Sequence, residues 1–139
     1  MKDPYLKLTK CLERLYKEYK KHGKIVVAYD FDGTVYDYHN DGYTFPEVVE
    51  LLRKVKPYAH LVVYSCSNED RYSFIKHYLN KNNIPFDYIN ETPKGINLPQ
   101  GVKMYYNILL DDRAGLIASV LILKDFIKMV ENDKEVELC

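Results

Sequence analysis

A handful of polar side chains in this sequence matter because of where they fall. Asp30 and Asp32 close the apolar run that starts at Ile25, with Gly33 and Thr34 directly after. Ser65 closes a second run from His60, and Asp111 with Asp112 closes a third from Tyr106, with Lys103 just upstream. Carboxylates gathered at one place repel one another unless a cation joins them. A ligand set of hard oxygens, with no histidine or thiol, selects Mg2+, which takes one or two carboxylates plus water and a phosphate. One carboxylate then remains free to attack phosphorus and another to exchange a proton with the leaving oxygen. A hydroxyl and an ammonium can bind the phosphoryl oxygens as charge spreads over them. The competing interpretation of the first cluster is structural: Asp32-Gly33 as the two-residue turn of a β-hairpin.

Those residues converge only if the right elements carry them. Tyr5, Leu8, Leu12, Leu15 and Tyr19 recur at spacings of three and four, which predicts an amphipathic helix over 4–21. Residues 25–30 are apolar on both faces, as a central parallel strand is. The aromatic and polar stretch 35–45 predicts a small hairpin or irregular loop, and Pro46 opens a second helix that stops before Pro57. A strand over 60–65 follows. Ser67 to Asp70 reads as a helix start, Phe74, Ile75, Tyr78 and Leu79 as that helix's buried stripe, and Asn82-Asn83 as its end. A short strand over 86–89, a Pro- and Gly-containing loop over 90–101 and a strand over 106–110 come next. Leu116, Val120, Leu123, Ile127 and Val130 mark the last helix, with a frayed tail expected after Glu131.

Strands alternating with helices imply an α/β fold: a parallel sheet covered on both faces, in three Rossmann-like layers. In such sheets ligands bind beyond the carboxyl ends of the strands, where Asp30, Asp32, Ser65, Asp111 and Asp112 all fall. A hairpin at Asp32-Gly33 leaves unexplained why the other strands also end in acids or a hydroxyl.

The bulk composition fits one domain over 1–139, with an N-terminal helix and a core over about 24–131. A zero net charge excludes nothing, but the first 24 residues are rich in lysine and the last fifteen lean acidic. The basic segment either favours a polyanionic partner or is simply the solvated face of a helix. There is no signal-peptide pattern and no apolar stretch long enough to span a bilayer, so no membrane association is expected. Three widely spaced cysteines give neither a disulfide framework nor a zinc site, and a reducing cytoplasm is the expected compartment.

With those residues in view, Asp30-Phe31-Asp32-Gly33-Thr34-Val35 resembles the first motif of the haloacid dehalogenase superfamily in the form its phosphatases use. Leu61 to Ser65 is similar to the second motif, an apolar strand ending in a hydroxyl, and Lys103 to Leu116 to the third and fourth. The resemblance spans about residues 24–125 and implies a capless member of the family, because the gaps between motifs hold little beyond the sheet's own helices and loops. It also implies roles. Asp30 is the nucleophile and a metal ligand, and Asp32 the general acid/base with its carbonyl on the metal. Ser65 binds phosphate, Lys103 neutralises nucleophile and phosphate, and Thr34 orients the loop. Asp111 and Asp112 complete a Mg2+ site. The implied activity is phosphomonoester hydrolysis through an aspartyl-phosphate. An open site suits large or exposed phosphates, such as polynucleotide ends or phosphoproteins, and the expected substrate is a nucleotide or nucleic-acid phosphate.

Each position also has a plainer explanation. Asp111-Asp112 can cap the last helix, Ser65 can be an ordinary strand-end hydroxyl, and Lys94 competes with Lys103 as the motif lysine. Cys66 invites redox chemistry but has no histidine placed to activate it. Tyr36, Tyr38 and Tyr43 either stack on a base or pack the loop that follows the first motif, where His39 is expected exposed. The alternative to an enzyme is a phosphate- or metal-binding partner module on the same fold, acting through its basic first helix.

Overall fold

A computed structural model of the chain describes residues 2–96 and 103–138. Four parallel strands form one sheet in the order β3-β2-β1-β4: β1 Ile25–Tyr29, β2 Ala59–Val63, β3 Tyr88–Ile89 and β4 Ile108–Leu110. Tyr29 is in register with Val63 on one side and with Leu110 on the other, so the chain leaves all three strands at one level. Parallel pairing on both sides of β1 rules out the hairpin at Asp32-Gly33.

The helices are α1 Leu8–His22, α2 Pro46–Val55, α3 Tyr72–Lys81 and α4 Leu116–Leu138. One core cluster joins Leu15 of α1, Leu51 and Leu52 of α2, Ile75 and Leu79 of α3, and Leu123 and Phe126 of α4 to Ile25, Val27, Tyr29, Leu61 and Val63 of the sheet. Val26, Ala28 and Val62 alternate with these and are equally buried, on the opposite face. Right-handed crossovers stepping outward from β1 to β3 keep α2 and α3 on a single face. Of the described residues between β3 and β4, Lys94, Tyr105 and Asn107 line a hollow with Val26 and His60. The α/β fold and parallel sheet expected from the sequence are therefore present. Among the described residues no helix is long and apolar enough to cross a membrane.

Several boundaries differ from expectation, each for a local reason. Pro4–Leu6 forms a separate 3-10 turn before α1, and Gly23, at φ 82°, ends α1 through its N–H to the Tyr19 carbonyl. The strands are shorter than their apolar runs because pairing ends at Tyr29 and Val63, and β3 is reduced to two residues. Residues 35–45 form an irregular loop tied by the Asp37 carboxylate, which accepts the N–H groups of Asp41 and Gly42. A 3-10 turn, Glu69–Arg71, precedes α3, and no side chain caps it. Phe74 lies at the surface rather than in the buried stripe. The expected frayed tail after Glu131 is helical to Leu138. There α4 packs along α1, where the Tyr16 hydroxyl donates to Asp133 and Lys20 pairs with the same carboxylate.

Candidate active site

The backbone first brings the acids together. Asp30 follows β1 and its N–H donates to the carbonyl of Leu110, at 2.8 Å, which sets it beside the acids that follow β4. Carboxylate oxygens of Asp30, Asp111 and Asp112 lie within 4.8 Å of one another. The loop after β1 is tight: the Phe31 carbonyl accepts the N–H groups of Val35 and Tyr36, and the Gly33 N–H donates to the Tyr36 carbonyl at 2.8 Å. Gly33 sits at φ 79°, and a Cβ there would stand 2.8 Å from Oδ2 of Asp112. Only glycine allows both the conformation and that approach.

Thr34 is fully buried and links the two strand ends. Its Oγ1 accepts the Asp112 N–H at 3.1 Å and lies 3.3 Å from Asp112 Oδ1 and 3.5 Å from Asp30 Oδ2. One hydroxyl proton serves one of these carboxylates at a time. Asp111 is held by the Arg113 N–H at 2.9 Å, so it braces the turn before α4 as well as facing the cluster. Burial, then the charges of Asp111 and Asp112, push the Asp30 carboxyl up to about 7, against a smaller downward pull from the Phe31 N–H. A cation removes this conflict. Three carboxylates without nitrogen or sulfur donors are a set that fits Mg2+, with Asp30, Asp111 and Asp112 as the residues to hold it.

Asp32 lies in a different setting. Its two oxygens accept a fork from Arg71, Nη1 at 2.6 Å and Nη2 at 2.8 Å. Nη1 also donates to the Ser67 Oγ at 2.9 Å, and Ser67 Oγ accepts the Ser65 hydroxyl at 2.9 Å. Asn90 fixes this corner: its Oδ1 accepts the Ser65 N–H, and its Nδ2 donates to the Ser65 carbonyl and to the Tyr72 hydroxyl. Ser65 is therefore buried and tied into a network that reaches Asp32 through Ser67 and Arg71.

The structure thus gathers Asp30, Thr34, Asp111 and Asp112 at one point and links Asp32 with Ser65 beside it. It does not bring Lys103 or Lys94 there. Lys103 is exposed on the approach to β4, two residues before Tyr105, and Tyr105 and Lys94 line the hollow of about 540 Å3 at the opposite, amino ends of the strands. A residue that shortly precedes a parallel strand lies at its amino end, so nearness in sequence to Asp111 places a lysine away from that acid. Among the described residues, the cation paired with a carboxylate at these ends is Arg71, a residue that the sequence motifs do not mark. Its partners Asp32, Phe31, Tyr36 and Tyr38 lie far earlier in the chain, so no local pattern marks it.

The tyrosines divide as well. Tyr36 is stacked on Phe31 at 5.0 Å between centroids and meets Tyr78 edge-on at 4.9 Å, so its ring is occupied in packing. Tyr38 is exposed and its ring lies 5.6 Å from the Arg71 guanidinium. Tyr43 is exposed beside a separate hollow lined by Pro46, Arg53 and Tyr78. His39 is exposed as expected, and Cys66 is an exposed free thiol.

No protein-family model matches the chain, and no curated protein matches it. A solved structure, described as that of a conserved protein coded by a locus from Bacteroides thetaiotaomicron, is similar at 18% identity with a TM-score of 0.57. The match covers 79% of this chain and 92% of that one. The likeness is one of fold. It supports the α/β architecture and leaves the chemistry to the side chains.

Proposed function

We propose that the chain is a Mg2+-dependent phosphomonoesterase of haloacid dehalogenase type, working through phospho-Asp30. The observation that carries this is the meeting of Asp30, Asp111 and Asp112 at the carboxyl ends of β1 and β4, with the Asp30 carboxyl pushed up to about 7. Bound Mg2+ would supply positive charge that keeps these acids ionised and draws in a phosphate.

Each residue then has a task. An Asp30 oxygen attacks phosphorus, and the bond from phosphorus to the leaving oxygen breaks. Asp32, entering the step as the carboxylic acid, gives the leaving oxygen its proton. It then takes one from the water that attacks phospho-Asp30, so that phosphate leaves, Asp30 is again a carboxylate and Asp32 again the acid. The Ser65 hydroxyl turns from Ser67 to a phosphoryl oxygen. Thr34 holds Asp30 and Asp112 in relation to each other. Lys103 has no part in this scheme because it approaches the sheet from the amino end. Exposed Tyr38 beside Arg71 favours a phosphate on a large group, such as a nucleotide or a nucleic-acid end. The two described cysteines, Cys11 and Cys66, are free, which accords with a cytoplasmic setting.

The test is hydrolysis of an aryl phosphate with and without Mg2+, in wild type and Asp30→Asn. Turnover that needs Mg2+ and disappears in the variant supports the assignment; turnover unchanged by the substitution removes Asp30 as nucleophile.

A further inference from the structure

Asp32 as it stands addresses Arg71 rather than a leaving oxygen, because each of its oxygens accepts from one guanidinium. Either Arg71 or Asp32 must let go, and the two are not equally anchored. Arg71 donates to Ser67 as well, and its guanidinium lies 5.4 Å from the ring centre of Phe31, 5.8 Å from Tyr36, 5.6 Å from Tyr38 and 5.6 Å from Phe74. Four rings and a hydroxyl hold it in place. Among the described residues, the Asp32 carboxylate has no hydrogen-bond partner but Arg71. Rotation of Asp32 breaks one contact pair, whereas departure of Arg71 breaks several.

A fixed guanidinium that loses a carboxylate needs another anion in its place, since a charged fork left unpaired in a partly buried site is costly. The exchange of one planar anion for another is close to balanced, so an incoming anion can drive it. Its position follows from the geometry. Arg71 contacts Asp32, which addresses the leaving oxygen, directly and reaches Ser65 only through Ser67, while the transferred phosphate is served by Ser65 and the acid cluster. The competing anion therefore belongs to the leaving group.

We propose that Arg71 selects phosphate esters whose leaving group carries a second anionic group, and that this anion, on taking the guanidinium, frees Asp32 to serve the leaving oxygen. The proposal rests on the phosphomonoesterase reading and names the substrate class of that same site. A phosphodiester or a second phosphate near the scissile one fits this class, and so does a carboxylate. Substrates with neutral leaving groups would leave Asp32 locked to Arg71.

The test uses phosphonates, which have a P–C bond and bind without turnover. Calorimetric titration in the presence of Mg2+ compares ω-carboxyalkyl phosphonates of two to four carbons with alkylphosphonates of the same lengths, in wild type, Arg71→Met and Arg71→Lys. The expected result is at least about tenfold tighter binding of the carboxylate-bearing member at one chain length in wild type. That preference should disappear in Arg71→Met and be reduced in Arg71→Lys, which keeps the charge but not the fork. Equal affinity for the two series in wild type overturns the proposal, as does a preference that survives in Arg71→Met or a failure of wild type to bind either series. The wild-type comparison needs no variant to fold. Because it reads binding, a chain that hydrolyses aryl phosphate with Mg2+ but ignores the carboxylate loses this proposal alone. A chain that prefers the carboxylate but hydrolyses nothing loses the phosphomonoesterase reading alone.

Discussion

Asp30 and Asp32 are two residues apart and lie in opposite electrostatic surroundings. Asp30 faces Asp111 and Asp112 with no cation among its described neighbours, and burial together with like charge drives its carboxyl up to about 7. Asp32 is gripped at both oxygens by Arg71. On the proposed function, the first half takes up a cation, and the second, which already has one, exchanges it for the anion of the substrate. Two identical side chains on one short loop can thus do different work, because alternate positions turn toward different partners: the acids after β4 for one, the 3-10 turn before α3 for the other.

The largest expected effect tests the uncompensated half. Asp30→Asn should lower Mg2+-dependent aryl phosphate turnover by on the order of a thousandfold or more, measured as kcat, since it removes the attacking oxygen. The paired half should respond more selectively. Asp32→Asn should cost roughly a hundredfold or more with alkyl phosphates whose leaving group carries a second anionic group, and less with aryl phosphates, whose leaving groups need little protonation. Equal losses on the two ester types would take Asp32 out of the acid role and dissolve the contrast.

A smaller effect concerns the loop that holds the halves apart. Gly33→Ala should destabilise the fold by about 1–2 kcal/mol in denaturant titrations, from the left-handed backbone alone. It should also weaken Mg2+ binding, because the new methyl group displaces the Asp112 carboxylate. Unchanged Mg2+ affinity would mean that Asp112 does not hold the ion.

The mildest effect is one of pH. Asp30 ionises near 3.8 when unconstrained and near 7 in the folded, metal-free chain. Between these values the folded state holds the extra proton, so metal-free stability should fall as pH rises from about 4 to 7. Mg2+ binds the ionised form and should raise Tm more at pH 8 than at pH 5. A Mg2+ increment equal at the two pH values would show that the acids are not in conflict.

Much of this arrangement was legible in the sequence. Apolar runs ending in Asp30, Ser65 and Asp111 fixed both the parallel sheet and the end at which polar groups gather, because strand direction and side-chain chemistry were written in the same few residues. What escaped was set by the third dimension. Arg71 reaches Asp32 across 39 residues and is selected by packing against four rings, for which no local pattern exists. Lys103 looked well placed because it is near Asp111 in sequence, but β4 runs away from it. Tyr36 shared its loop with Tyr38, and only the fold reveals that the Tyr36 ring is consumed by Phe31 and Tyr78.

The account depends most on the covalent role of Asp30. Rapid quenching of wild type during turnover with Mg2+ and an aryl phosphate, followed by borohydride reduction and peptide mass spectrometry, reads it directly, since the reductant converts an aspartyl-phosphate to homoserine. Homoserine at position 30, and none at 32, 111 or 112, is the predicted result. Steady turnover with no reduced residue, or with reduction at one of the other three aspartates, would contradict it.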